Sequence, residues 1–352
     1  MRKRLNQLYQ KAREAGVDAF LVTNLPNIRY LCGYSGSNGM LLVTRRGSWL
    51  YTDFRYQQQV RDEVRGARAV IRERDLISSF PVEHARGIRR LGFEKSFVSF
   101  GSYKTLQKQL KHTRLVPCAN LTSGLRAVKD DGELELIARA AAITDKVLKQ
   151  VLPLVKPGVT EKDLAAEIDY RFLRQGGIAF ETIVASGPRG ALPHAQPGMR
   201  KLKKGDAIVF DIGARHQGYC SDMTRTVFLG RADRKAREIY EIVLDAQLQA
   251  LGSVRAGAKC ADVDSVARTY IREKGYGREF GHGLGHGVGL EVHEAPGLGA
   301  RSVDTLAATQ VVTVEPGIYL PDWGGVRIED LVAVTPRGCR ILSSFPKRLM
   351  EL

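Results

Sequence analysis

Apolar positions in the first third of the chain come in two spacings. Short apolar runs at Asp18–Thr23 (DAFLVT), Met40–Thr44 (MLLVT) and Ser48–Thr52 (SWLYT) predict strands. Arg55–Val64 and Ser102–Leu110 predict helices, and Leu5, Leu8, Tyr9 and Ala12 recur at helical spacing near the start. Strands interleaved with helices predict an α/β domain. The polar, turn-rich stretch Leu121–Asp131 (LTSGLRAVKDD) predicts its boundary, dividing the chain into residues 1–124 and 125–352.

The second part opens on a long helical pattern from Glu133 to Leu152, with Leu134, Ile137, Ala141, Val147 and Leu148 on its apolar side. Lys156-Pro157-Gly158 breaks it. Thr160–Asp163 (TEKD) reads as an N-cap with Asp in the usual Glu place, and Gly176-Gly177 as the stop of the helix that follows. Lys156–Gly176 also matches Arg255–Gly275 at an offset of 99: Gly158 falls on Gly257, Asp163 on Asp262, Phe172 on Ile271 and Gly176 on Gly275. Two amphipathic helices can share such a pattern by chance, so the spacing alone leaves an internal duplication open.

A chain of 352 residues is long enough for two cores. No apolar run approaches the roughly 18 residues that span a membrane, and Met1–Glu14 lacks the apolar core of a signal peptide. Five cysteines, at 32, 118, 220, 260 and 339, form no CxxC pair. An odd, scattered set argues against a disulfide framework and for a reducing, cytoplasmic setting. The formal charge of +16 raises a nucleic-acid partner. The basic residues come in ones and twos, as at Arg45-Arg46 and Lys203-Lys204, with no long arm and no nucleic-acid motif. A solvated basic surface is the favoured reading, with neither nucleic acid nor membrane as partner.

The chemistry lies in the acids of two hairpins. Ala207–Phe228 (AIVFDIGARHQGYCSDMTRTVF) reads as strand, turn, strand. With the turn at His216-Gln217, Asp211 would face Asp222, their Cβ atoms roughly 5 Å apart. Facing carboxylates repel, so one takes a proton or a cation sits between them. Val311–Gly317 (VVTVEPG) and Gly325–Val334 (GVRIEDLVAV) repeat the arrangement: Glu315 ends one strand and Glu329 lies inside the next. Alternation puts Arg327 on the face of Glu329 and Asp330 on the other. Four carboxylates in one pocket call for about two divalent cations. Phe280–Glu294 (FGHGLGHGVGLEVHE) adds His282, His286 and His293 in a glycine-rich stretch that would let backbone approach a ligand. His194 is a further candidate, whereas His84, His112 and His216 sit in polar or turn contexts and read as surface residues.

Asp211, Asp222, His286, Glu315 and Glu329, in that order, resemble the metal ligands of the pita-bread metallopeptidases, the family of methionine aminopeptidase, creatinase and the Xaa-Pro aminopeptidases and dipeptidases (prolidases). The likeness runs through LPHAQPG, DIGARHQGYCSDMTRTV, GHGLGHGVGLEVHEAP and VEPGIYLPDWGGVRIED, and in the first third through NIRYLCGYSGSNG and LYTDFRY. These N-terminal stretches resemble the extra domain of the Xaa-Pro enzymes and creatinase, which methionine aminopeptidases usually lack. The resemblance implies an α/β creatinase/prolidase-like domain followed by an α+β pita-bread domain with an internal pseudo-two-fold repeat.

It also implies a reaction, hydrolysis of the Xaa-Pro bond at the N-terminus of short peptides. Asp211 and Glu329 would bridge two metal ions, Asp222 would complete one shell, and His286 with Glu315 the other. Mn2+ suits the donors best, with Co2+ or Zn2+ as alternatives. A metal-bridging hydroxide would attack, Glu315 would act as general base, and His293 would stabilise the oxyanion. His282 and His194 would line the substrate side, and Arg327 would position substrate or orient Glu329. Prolidases often carry Arg just after the HEAP-like segment; Gly297 stands there, with Arg301 nearby. Three rival readings follow: a strict Xaa-Pro dipeptidase, a creatinase-type reaction and a non-catalytic binding module. Members of this size commonly form homodimers, and Tyr34–Gly39 (YSGSNG) reads equally as a lid or a plain loop.

Overall fold

The computed structural model describes residues Met1–Leu352, in two compact units, Met1–Arg126 and Ala127–Leu352. The charge is shared unevenly between them. Residues 1–126 carry 23 Lys and Arg against nine Asp and Glu; residues 127–352 carry 31 against 29. The excess therefore comes from a shortage of acids in the first unit.

That unit is a six-stranded sheet in the order β4-β3-β2-β1-β5-β6. Its strands are β1 (Ala19–Val22), β2 (Met40–Thr44), β3 (Gly47–Asp53), β4 (Arg68–Arg72), β5 (Arg90–Glu94) and β6 (Arg114–Cys118). Around it lie α1 (Arg2–Glu14), α2 (Leu25–Cys32), α3 (Gln59–Glu63) and α4 (Phe100–Gln109). The sheet is mixed: β1, β2 and β3 pair antiparallel, while β1–β5, β5–β6 and β3–β4 are parallel. Leu21, Leu42, Tyr51, Leu91 and Leu106 form its core.

Two elements depart from the hydrophobic pattern. Arg55–Val64 is not one helix. Asp53 accepts from the backbone N–H of Arg55 and starts a separate 3-10 turn, Phe54–Tyr56, before α3. The turn-rich Leu121–Asp131 contains a helix, α5 (Leu121–Ala127), so the irregular stretch shrinks to residues 128–130. Asp130 then caps α6 (Asp131–Val151) in a reciprocal box with Glu133. Tyr34–Gly39 folds over the buried ring of Tyr34, whose hydroxyl bonds Asn38 O and Thr52 Oγ1 at 2.8 Å.

The second unit is built twice. In the first half, α6 and α7 (Glu161–Gln175) pack on the sheet of β7 (Ile183–Ser186), β8 (Ala207–Ile212) and β11 (Met223–Phe228), with the small pair β9 (Arg215–His216) and β10 (Tyr219–Cys220) at the hairpin end. In the second half, α8 (Arg234–Ser253) and α9 (Cys260–Glu273) pack on a five-stranded sheet. Its strands are β12 (Gly285–Gly287), β13 (Glu294–Leu298), β14 (Val311–Val314), β17 (Asp330–Thr335) and β18 (Gly338–Ile341); β15 (Gly317–Leu320) and β16 (Gly324–Arg327) pair separately. Leu164, Ile168 and Phe172 bury against Ile208 and Phe210; Val263, Ala267 and Ile271 bury against Val312, Val314 and Val332.

The offset of 99 is a structural repeat. Gly158 and Gly257 both have positive φ (90° and 85°), and their N–H groups donate to Leu202 O and Leu306 O. Leu202 and Leu306 in turn donate to Val159 O and Ala258 O. Such matching of backbone bonds goes beyond what two amphipathic helices share by chance.

Thr160 caps α7: its hydroxyl accepts from Asp163 N at 3.0 Å, and Asp163 accepts from Thr160 N. Thr160→Ala is therefore expected to cost the C-terminal unit about 1 kcal/mol. A urea midpoint equal to wild type would show that the cap contributes nothing.

Candidate metal centre

The first hairpin closes at Gln217-Gly218, both at positive φ (47° and 91°), one residue later than the turn predicted. Two successive positive-φ residues suit the right-handed twist of a tight hairpin. The register follows: Asp211 faces Thr224, not Asp222. The slip is two residues, and side chains alternate with period two, so Asp222 keeps the face of Asp211 and sits one step farther along.

The second pair of acids is likewise displaced from its predicted setting. Glu315 follows the last residue of β14. Glu329 is not inside a strand: the chain leaves β16 at Arg327 and re-enters β17 at Asp330. Arg327 and Glu329 still share the face predicted for them, and Asp330 points into the core.

These side chains converge on one cavity of about 240 Å3, lined by Asp211, Asp222, Glu315, Glu329 and Arg327 with His194, His282, His286 and His293. Ligand atoms of Asp222, His286 and Glu329 lie within 4.8 Å of one another. His286 Nδ1 donates to Gly287 O at 3.1 Å. In the neutral ring this leaves the lone pair on Nε2, which is 3.3 Å from Glu315 Oε1 and 3.6 Å from Asp222 Oδ2. The His293 ring lies against His286, centroids 4.2 Å apart.

Asp211 and Glu329 are each held by one oxygen and offer the other. Asp211 Oδ2 takes Arg327 Nη2 at 2.6 Å, and Glu329 Oε2 takes the Thr224 hydroxyl at 2.7 Å. Asp211 Oδ1 and Glu329 Oε1 are buried with no hydrogen-bond partner. A buried carboxylate oxygen without a partner is costly unless a cation takes its lone pairs.

Proton affinities point the same way. Burial first, then the charges of Glu329, Asp211 and Glu315, push the Asp222 carboxyl well above the usual range. Burial, then Glu315 and Asp211, does the same to Glu329. Burial also raises Asp211, against the pull of Arg327. Glu315 is the exception: burial raises it, but the hydrogen bond and charge of His286, then Arg327, carry it below its ordinary value. Four acids with one guanidinium, two orphaned oxygens and an imidazole nitrogen aimed at two of the acids suit a site for divalent cations.

Two further residues complete the arrangement, and neither stood out in the sequence. Thr224 donates to Glu329 while accepting from Arg327 Nε at 3.0 Å. Arg327 thus orients Asp211 directly and Glu329 through Thr224. Tyr319 links Arg327 Nη1 (2.8 Å) to His282 Nε2 (2.9 Å). His282 Nδ1 faces Gly283 O at 2.8 Å, so it carries the proton and Nε2 accepts from the Tyr319 hydroxyl. His282 therefore lines the cavity with both ring nitrogens engaged. Thr224 could have been found as the same-face neighbour of Asp222; Tyr319 had no signal beyond its place after Glu315.

Other expectations change. Two glycines of Phe280–Glu294 are required by the sheet. A Cβ on Gly285 would lie 2.2 Å from Thr313 O, and one on Gly287 2.3 Å from Ala295 O. His84 and His216 are half-buried, not surface residues: His84 stacks on Trp49 and bonds the Tyr51 hydroxyl at 2.8 Å. His112 is exposed. None of the five cysteines forms a disulfide, and four of them are buried. No helix is long and apolar enough to cross a membrane.

Fold and donor set together place the chain among the metallopeptidases. The chain belongs to metallopeptidase family M24, whose model matches residues 135–336, and the creatinase/prolidase N-terminal domain matches residues 4–128. It is similar to a Xaa-Pro dipeptidase of Pyrococcus horikoshii, 34% identical over 99% of each chain. Among solved structures it is similar to a Xaa-Pro dipeptidase from Bacillus anthracis (39% identity, TM-score 0.96, 99% of each chain). An X-Pro aminopeptidase from Thermotoga maritima is also similar (37%, TM-score 0.89, 97% of this chain and 100% of that one). The pita-bread architecture with its N-terminal creatinase-type domain is that of this family.

Proposed function

We propose that this peptidase hydrolyses the Xaa-Pro bond at the N-terminus of short peptides, using two divalent metal ions. The observation that carries the reading is the convergence of Asp211, Asp222, His286, Glu315 and Glu329 with two of their oxygens unpartnered. Asp211 and Glu329 would bridge the ions, Asp222 would serve one, and His286 with Glu315 the other. Oxygen-rich ligation with a single imidazole favours Mn2+ over softer ions. Bound there, the ions would supply Lewis-acid polarisation of the scissile carbonyl and lower the pKa of the attacking water.

The remaining work falls to the chain's own groups. Glu315 takes the proton of the attacking water and passes it to the proline nitrogen, which belongs to a tertiary amide and must be protonated to leave. His293, on the rim of the cavity, donates to the developing oxyanion. His194 and His282 wall the substrate side. Arg327 is buried behind Asp211 and holds the acids in place. A homodimer in a reducing, cytoplasmic setting completes the reading, in keeping with five cysteines that form no disulfide.

His293→Ala is expected to lower kcat about 10²-fold with KM little changed. A rise in KM alone would make His293 a binding residue instead.

Peptide length is decided by direct comparison. Gly297 stands where a carboxylate-holding Arg would favour dipeptides, and the space beyond its Cα is open. Cleavage of Xaa-Pro-Xaa tripeptides at least as fast as Xaa-Pro dipeptides is therefore expected. The dipeptidase names of two relatives favour the alternative, and cleavage of dipeptides alone would establish it. A chelated, metal-stripped protein that keeps full activity would sink the metal-dependent reading altogether.

A further inference from the structure

The segment that brings His194 to the cavity, from Gly187 to Arg200, contains no strand. A buried carboxylate outside the cavity fastens it. Glu161, in the first turn of α7, is fully buried. Its Oε1 accepts from Ser186 N (2.8 Å) and Ser186 Oγ (2.7 Å), just before the segment. Its Oε2 accepts from Arg189 Nε (2.9 Å), near the start, and from Gly198 N (3.0 Å), near the end. One carboxylate thus spends its acceptor capacity on drawing both ends of the segment together.

Neighbouring bonds close the loop further. Arg189 Nη2 reaches across it to Gln196 O. Arg200 bonds Ser186 Oγ and forks onto Asp206 at 2.7 and 2.8 Å. The loop floor is β16, where a Cβ on Gly325 would lie 2.1 Å from Gly190 O. At the tip, Arg327 Nη1 lies 3.4 Å from Pro193 O, the residue before His194.

We propose that Glu161, acting with Arg189, is a positioning residue for the substrate side of the site. It sets where His194 stands without touching substrate or the metal-binding acids. The proposal rests on the reading of His194 as a substrate-facing residue. Held in place, the segment loses little freedom when peptide binds; released, it must be ordered at that moment, which weakens binding.

Glu161→Gln tests it, because whichever way the amide is turned its NH2 faces N–H donors, those of Ser186 or those of Arg189 and Gly198. The expected result is a KM about tenfold higher, kcat within about twofold of wild type and unchanged metal content. Arg189→Met, which removes a partly exposed side chain, should act in the same direction and decides the matter if Glu161→Gln does not fold. In a His194→Ala background both effects should vanish, since there is then nothing to position. Amide exchange across Ala191–Gly198 gives a readout independent of activity, expected to quicken by about tenfold.

Unchanged exchange overturns the proposal, as does an equal KM rise with and without His194, or a lower melting temperature with KM and kcat intact. A His194→Ala variant with wild-type KM overturns the substrate-facing role itself, and the positioning role with it. A raised KM in His194→Ala beside an unaffected Glu161→Gln overturns the positioning role alone.

Discussion

Glu329→Gln is expected to remove metal-dependent activity, by about 10³-fold or more, and at the same time to stabilise the metal-free protein. The two effects share one cause. Glu329 Oε1 is buried and unpartnered, and the side chain shares its cavity with Asp211, Asp222 and Glu315. With cations bound, that oxygen would be a ligand. Without them its charge is a cost, because burial and the neighbouring acids raise the Glu329 carboxyl well above its ordinary value near 4.5.

The sign follows from linkage. A carboxyl raised in the folded state binds its proton more tightly there than in the unfolded chain. It therefore costs nothing below about pH 4.5, and its penalty grows as pH climbs toward the folded value. The metal-free wild type should lose melting temperature as pH rises above about 4.5, and Glu329→Gln should lose less. Gln still offers a carbonyl to the Thr224 hydroxyl, so local packing is kept. Metal analysis should show at least one ion fewer per chain. Full metal content, or a metal-free variant that melts below wild type at pH 8, would remove Glu329 from the bridging role.

Asp330→Ala is expected to be the most destabilising single change in the C-terminal unit, costing about 3–5 kcal/mol. Asp330 neighbours Glu329 in sequence and faces the other way. Its carboxylate accepts from Arg225 Nη2 (2.8 Å), Lys347 Nζ (2.6 Å) and Gln247 Nε2 (3.0 Å), and neither Asp330 nor Arg225 is exposed at all. Removing the acid leaves a guanidinium in the core with only backbone carbonyls, among them Thr224 O and Phe345 O, and no countercharge. Arg225 also donates to the carbonyl of Glu329, so the damage reaches the metal centre. Urea unfolding measures it. A loss below about 1 kcal/mol would show that solvent reaches the guanidinium and absorbs its charge.

Much of the centre was legible along the chain because strand alternation survives a local error. The predicted turn was one residue early, which moved Asp222 out of register by two. A two-residue slip returns every side chain to its own face, so the acids still converge. The separation of Glu329 from Asp330 was legible for the same reason. Gly285 and Gly287 beside His286 also meet neighbouring strands, which the sequence could not show because backbone approaching a ligand and backbone approaching a strand demand the same residue. Arg55–Val64 was misread because Asp53, a capping acid just before it, restarts the chain.

The pairings of Thr224 and Glu161 lay beyond sequence reading because their partners are far away along the chain. Thr224 meets Glu329 105 residues on, and Glu161 meets Ser186 after 25. No periodicity reports such pairings.

The sequence by itself determined a set of donors, four acids on the inward faces of two hairpins and a histidine cluster between them, and left the duplicated frame around both open. The tertiary structure decided which lone pairs of that set remain free. That depends on what occupies the other side of each carboxylate, Arg327 behind Asp211 and Thr224 behind Glu329, and those contacts exist only once the two halves of the C-terminal unit have packed.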